Sequence, residues 1–186
     1  MRIIAGEFGG RKLKAVPGMK TRPTTDKVKE AMFSMLGQFF DGGQALDLYA
    51  GSGGLAIEAV SRGMDHAYLV DRQYAAIQTI EENVAVTKMP ECFTIWKMPA
   101  EKALVKLADA GVQFDLILLD PPYKGQRINE IIEFIHENEL LAIDGIIMAE
   151  CLKEDELHES IGDIHQVKRE IYGITAITIY NRVDEN

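Results

Sequence analysis

Asp120-Pro121-Pro122-Tyr123 sets an acid, two rigid residues and an aromatic ring in succession. The tetrad follows the apolar run Phe114-Asp115-Leu116-Ile117-Leu118-Leu119, which reads as a buried strand closed by a turn signal. A carboxylate and a proline-constrained backbone carbonyl both accept hydrogen bonds, so together they suit one planar amino group, with the Tyr ring placed to stack on its π-system. Such a lip at the carboxyl end of a strand is where open α/β sheets bind ligands. A tight turn with an incidental Asp is the plainer reading, but acid-Pro-Pro-aromatic is an uncommon way to build one.

A second constellation lies upstream. Gln44-Ala45-Leu46-Asp47-Leu48-Tyr49 reads as a short strand, followed by Ala50-Gly51-Ser52-Gly53-Gly54 and the helical pattern Leu55-Ala56-Ile57-Glu58-Ala59-Val60. Glycines between a strand and a helix let backbone approach a ligand closely and aim helix amides at it. Gly51-x-Gly53-x-x-Ala56 also fits a dinucleotide fingerprint. Asp71 closes the next strand, His66-Ala67-Tyr68-Leu69-Val70-Asp71, at the spacing of a ribose-binding acid. Asp47 separates the two ligand classes. A carboxylate four residues before the first glycine repels a pyrophosphate there and favours a cationic amino group. S-adenosylmethionine has that character, with an α-amino group, a ribose and a sulfonium that carries the methyl.

Asp47-x-x-x-Gly51-x-Gly53 followed by Asp120-Pro121-Pro122-Tyr123 resembles the amino-group methyltransferases that use S-adenosylmethionine. Arg22-Pro23-Thr24-Thr25-Asp26-Lys27-Val28-Lys29-Glu30-Ala31-Met32-Phe33, the arm over residues 1–18 and the overall size narrow this. Together they resemble the bacterial 16S ribosomal RNA guanine-N2 methyltransferases. The resemblance implies Asp120, Pro121, Pro122 and Tyr123 as the catalytic lip. It implies S-adenosylmethionine on Asp47, Tyr49, Ala50, Gly51, Ser52 and Gly53, with Asp71 and Arg72 at the ribose. Met98 and Ala100 would hold the adenine, and a loop with Arg22 and Thr24 would close over the methionine end. Many such enzymes place an acid after the third strand; here the chain reads Lys97-Met98-Pro99-Ala100-Glu101. The implied partner is 16S ribosomal RNA, within a 30S subunit or an assembly intermediate. The acid-Pro-Pro-aromatic tetrad alone also admits DNA or RNA adenine-N6 methyltransferases. A non-catalytic RNA-binding module would leave Asp47, Asp71 and Asp120 without a shared role.

At 186 residues, 47% of them hydrophobic, the chain suits one domain with a full core. We divide it into an arm over 1–20, a helical lead-in over 21–43 and a catalytic core over 44–186. No apolar stretch is long enough to cross a bilayer, and the start carries no signal-peptide pattern. Cys92 and Cys151 are expected as buried thiols in core strands, which suits a reducing cytoplasm. The scattered His66, His136, His158 and His165 form no metal motif, so no metal is expected, and a monomer is the default. The net charge of −9 argues against a nucleic-acid partner, but its distribution does not. Residues 1–30 hold eight Lys and Arg against three Asp and Glu, a balance of +5 that leaves −14 on the rest. A basic arm on an acidic body can grip phosphates on one face. Arg2, Arg11, Lys12, Lys14 and Arg22 are its candidate RNA contacts.

The elements that must position these residues follow from periodicity. Arg2-Ile3-Ile4-Ala5-Gly6 and Lys12-Leu13-Lys14-Ala15-Val16 read as a hairpin with a cationic outer face. Thr25 or Asp26 can cap a helix whose stripe is Val28, Met32, Met35, Leu36 and Phe39. From residue 44 strands and helices alternate, ending in an antiparallel hairpin, Gln166 to Tyr172 and Ile174 to Tyr180, joined at Gly173. This predicts a doubly wound α/β fold. The methyltransferases that the chain resembles imply its form: a mostly parallel seven-stranded Rossmann-like sheet with an antiparallel C-terminal hairpin strand and a basic N-terminal hairpin arm.

Overall fold

A computed structural model describes residues 1–18 and 25–185. Strands and helices alternate as β1 (Gln44–Asp47), α2 (Gly54–Ser61), β2 (His66–Asp71), α3 (Tyr74–Val86), β3 (Phe93–Lys97), α4 (Ala100–Ala110), β4 (Phe114–Leu119), α5 (Ile128–Glu137) and β5 (Leu141–Leu152). Helix α1 (Asp26–Met35) precedes them, and β6 (Ser160–Ile161), β7 (Ile164–Tyr172) and β8 (Thr175–Arg182) follow. The sheet order is β3-β2-β1-β4-β5-β8-β7-β6. The first five strands run parallel; β8, β7 and β6 are antiparallel to their neighbours. The described sheet thus has eight strands rather than seven, because the chain pairs once more, over two residues, before β7.

β1 is the middle one of the five parallel strands, with β2 on one side and β4 on the other. Strand order reverses here, and at such a point the loops beyond the carboxyl ends diverge and leave a crevice. The alternating apolar residues of β4 feed both faces. Leu116 and Leu118 join a core with α1, α2 and α3, whereas Phe114, Ile117 and Leu119 join one with α4 and α5. Helices on both faces follow from strands that are apolar on both sides. β5 begins at Leu141, opposite Phe114, and a register shift brings Ile146 opposite Leu116, so the extra residues of β5 are absorbed there.

Thr25 is the N-cap of α1, its Oγ1 accepting the Val28 N–H at 3.2 Å. Met32, Phe33 and Leu36 are buried, but Phe39 is not part of the stripe. The chain leaves the helix after Leu36, and Phe39 stands 59% exposed under the Arg62 guanidinium. Cys92 falls in a 3-10 turn (Pro90–Cys92) and is partly buried, unlike Cys151 in β5.

The amino-terminal arm is less of a hairpin, and less free, than its pattern suggests. A single antiparallel bridge joins Arg2 to Lys12. Ile3, Phe8 and Leu13 are buried in the core beside α2. Glu58 of α2, fully buried, accepts the backbone N–H groups of Ile4 and Ala5 at 2.8 and 3.0 Å. It is also paired with Arg62 at 2.8 Å and Lys29 at 3.4 Å. Lys29 in turn donates to the Arg2 carbonyl at 2.6 Å. Burial lowers the Lys29 pKa, and the Glu58 charge opposes that shift. Gly6 (φ +84°) is pressed so close to α2 that a Cβ there would meet the Ser61 carbonyl oxygen at 1.9 Å.

Candidate active site

Asp71 and Asp47 end β2 and β1, Met98 and Asp120 follow β3 and β4, and Glu150 lies two residues before the end of β5, so all five stand towards the carboxyl rim of five consecutive strands. Asp47 is the last residue of β1, 1% exposed, and its Oδ1 accepts the Tyr49 N–H at 3.2 Å. Burial raises its pKa to about 7; the Tyr49 N–H opposes the shift and the Asp71 charge adds to it.

The glycine loop is shaped by what it must clear. Asp71 ties it down from β2: Oδ2 accepts the Gly51 N–H at 3.0 Å and Oδ1 the Gln73 N–H at 2.9 Å. Gly51 has φ +57°, and a Cβ there would point into open space, so the loop's outward face is bare backbone. From the far side Asn83 of α3, 1% exposed, donates to the Ser52 carbonyl at 2.8 Å and the Lys14 carbonyl at 2.9 Å. Its Oδ1 accepts the Lys14 N–H at 2.8 Å. Asn83 was not among the expected site residues, since its partners lie 31 and 69 positions away.

Ala50 donates to the Val70 carbonyl at 2.9 Å, and Met98 to the Asp71 carbonyl at 3.1 Å, so the ends of β1, β2 and β3 are stitched edge to edge. Ala100, buried, opens α4 immediately after Pro99. Tyr49 faces Glu101 and Arg127; burial, then Glu101, push its phenol up to about 12. Arg72 is exposed beside Asp71. Arg22 and Thr24 lie outside the described residues.

Across the crevice, Asp47 is in register with Leu118, so Asp120 follows two residues further along the adjacent strand. Strands at about 4.8 Å spacing bring both acids to one pocket, and the Asp47 charge adds to the rise in the Asp120 pKa. Burial is the larger cause, followed by the charge of Glu150. Pro121 is buried and Pro122 exposed. Tyr123 is 37% exposed, and its hydroxyl shares a 2.7 Å hydrogen bond with Thr175 Oγ1 at the start of β8. Glu150 of β5 was also absent from the expected set. Its one sequence signal is an acid closing the apolar run Ile146-Ile147-Met148-Ala149.

Four carboxyl groups, with no cluster of cations beside them among the described residues, suit a cationic ligand better than a dinucleotide. The donor set therefore fits a ligand with an ammonium, a ribose and a sulfonium: Asp47 near the first, Asp71 near the second, open glycine backbone between. Among the described residues no group of three or more His, Cys, Asp or Glu is placed to hold a metal ion. No described helix is long and apolar enough to cross a membrane.

Among the described residues, three of the arm's candidate RNA contacts are engaged with the rest of the protein. Arg2 pairs with Asp26 at 3.4 Å and Lys14 with Glu82 at 3.0 Å. Arg11 donates to the Val86 and Thr87 carbonyls at the end of α3, at 3.0 and 3.1 Å. Lys12 is exposed.

A Rossmann-like sheet with a glycine loop at the β1–β4 reversal and an acid-Pro-Pro-Tyr lip beside it defines a methyltransferase. Residues 1–181 match the family described as Conserved hypothetical protein 95. The "Putative rRNA methyltransferase YlbH" of Bacillus subtilis is 47% identical over 98% of this chain and 99% of its own. Ribosomal RNA small subunit methyltransferase D of Escherichia coli is 31% identical over 98% of this chain and 90% of its own. Among solved structures, the E. coli protein yhhF superposes with a TM-score of 0.83 at 31% identity, covering 100% of this chain and 99% of that one. A conserved hypothetical protein of Streptococcus pyogenes gives 0.80 at 42% identity over 83% and 95% of the two chains. The chain belongs to this family of 16S ribosomal RNA methyltransferases.

Proposed function

We propose that this chain transfers a methyl group from S-adenosylmethionine to the exocyclic N2 of a guanine in small-subunit ribosomal RNA. One observation carries the reading: Asp47 and Asp120 close adjacent parallel strands at the point where strand order reverses, so a donor on one loop faces an acceptor on the other.

When bound, S-adenosylmethionine supplies an electrophilic methyl on a sulfonium sulfur. Methyl transfer is an in-line displacement, so the protein's main task is alignment. Asp47 and the Gly51–Gly53 backbone hold the amino-acid end, Asp71 the ribose, and the Met98–Ala100 segment the adenine. The resemblance adds Arg22 and Thr24 as contacts to the methionine end. Guanine N2 is a poor nucleophile because its lone pair is delocalised into the ring. Accepting its hydrogens on Asp120 and the Pro121 carbonyl favours a more tetrahedral nitrogen as the bond forms, which selectively stabilises the transition state. Tyr123, held by Thr175, stacks on the base. A guanine inside a helix cannot reach this lip, so the target is single-stranded or flipped out.

Lys12, with the outer surfaces of Arg2, Arg11 and Lys14, forms the RNA contact, in a cytoplasmic monomer acting on a 30S subunit or its precursor. The intramolecular pairing of three of these four cations keeps the contact small and leaves recognition to the assembled particle. The test is labelled-methyl transfer into small-subunit particles lacking the modification, with the product nucleoside identified by mass spectrometry. N2-methylguanosine supports the reading. N6-methyladenosine overturns the choice of base, and absence of label overturns the reading itself.

A further inference from the structure

Glu150 is out of place for a strand residue. Ile147, Met148 and Ala149 before it are fully buried and apolar, and Glu150 itself is only 9% exposed. Its Oε2 has no hydrogen-bond partner among the described residues. An orphaned acceptor in the interior is costly, and nothing in the packing of β5 requires one. In the parallel pairing of β4 with β5, Leu119 lies opposite Ala149, so Glu150 stands beside Asp120 at the acceptor lip, and the two acids and Tyr123 act on one another's ionisation. Two carboxylates can only accept, so the Asp120–Glu150 contact is a hydrogen bond only when one proton lies between them.

The surroundings favour that proton. The charged groups acting on the pair are Asp47 from β1, at the Asp120 side, and Tyr123 from the lip. From β8, Glu150 is opposed by the apolar Ile177. Burial raises both acids, and the Glu150 charge raises Asp120 further.

We propose that Glu150 is a positioning residue for methyl transfer: it shares one proton with Asp120, which locks one Asp120 oxygen and presents the other to the substrate amino group. The inference rests on the reading of the lip as the acceptor site. Removing the shared proton sets two facing carboxylates against each other and swings Asp120 out of line. Adding a second proton takes away the accepting charge. Activity is therefore bell-shaped in pH, and both limbs belong to the pair.

Glu150→Gln separates this from a structural role. The isosteric amide is a permanent N–H donor to Asp120, so the alkaline limb disappears and the acid limb moves down by about one pH unit or more. Glu150→Ala lowers kcat by about a hundredfold while KM for donor and for RNA particles stays within about twofold. A Glu150→Gln profile superimposed on that of the unmodified protein overturns the proposal. A carboxyl-carbon NMR titration of Asp120, run without substrate on the unmodified and Glu150→Gln proteins, keeps the two readings apart. A coupled titration that becomes single in Glu150→Gln, in a protein that does not methylate RNA, refutes the acceptor reading but leaves the shared proton standing. An uncoupled titration in an active enzyme refutes the pair alone.

Discussion

Asn83 holds Ser52 in place from behind, its side-chain amide donating to the Ser52 carbonyl at 2.8 Å from inside the protein. Because the same amide binds both backbone groups of Lys14, the glycine loop and the amino-terminal arm are positioned by one buried side chain. Asn83→Ala strands these groups and is expected to cost about 2–3 kcal/mol. It should also weaken donor binding, because the loop loses its support. Thermal unfolding and calorimetry with S-adenosylhomocysteine would check both; an unchanged affinity refutes the positioning role.

Burial raises the Asp47 pKa to about 7, so in the proposed donor site binding should depend on pH. A cation beside it stabilises the charged form, so binding below pH 7 must expel a proton. Affinity should fall as pH drops below about 7, by up to about tenfold per unit, and level off above it. Calorimetry in buffers of different ionisation enthalpy would count the released protons.

The same shift works against the fold without ligand. Its folded pKa lies above the ordinary 3.8, so between these values the folded state binds more protons than the unfolded one. Stability is then lost as pH rises from about 4 to about 7, by about 4 kcal/mol at most. Asp47→Asn is expected to unfold at a higher denaturant concentration than the unmodified protein at pH 8, while donor binding collapses. Equal midpoints would show that Asp47 is charged at no cost.

If Asp120 acts in the acceptor lip as proposed, Asp120→Ala should abolish turnover and change donor affinity little. Equilibrium binding beside single-turnover assays distinguishes the loops. Collapsed binding with normal residual rates would move Asp120 to the donor side.

Glu58 is a prediction about the arm. Removing it leaves the buried Lys29 and Arg62 charges uncompensated and the Ile4 and Ala5 N–H groups unmatched. Glu58→Ala is expected to destabilise by about 3–5 kcal/mol and to expose the arm to proteolysis before the core. Cleavage of core and arm together would contradict this.

Local signals in the chain suffice to place the glycine loop and the acid-Pro-Pro-Tyr tetrad at strand ends. Asp47, Gly51, Gly53 and Asp120-Pro121-Pro122-Tyr123 stand at strand ends, and strand ends are written in short runs of apolar residues followed by turn formers. Alternation of strands and helices carried the doubly wound topology as well, because βαβ crossovers allow few arrangements. Neighbours far apart in sequence were not legible this way. Lys14 and Glu82, Arg2 and Asp26, and Asn83 and Ser52 meet only after the sheet and helices have packed. The arm's positive charge therefore read as free when much of it is matched. Glu150 looked like the end of a strand, and becomes an acid facing an acid only because β5 lies beside β4. Residue type and spacing determine which groups can do chemistry. Which carboxyl groups lose water and gain one another as neighbours is set by tertiary packing, because desolvation and charge coupling depend on distance through space, not along the chain.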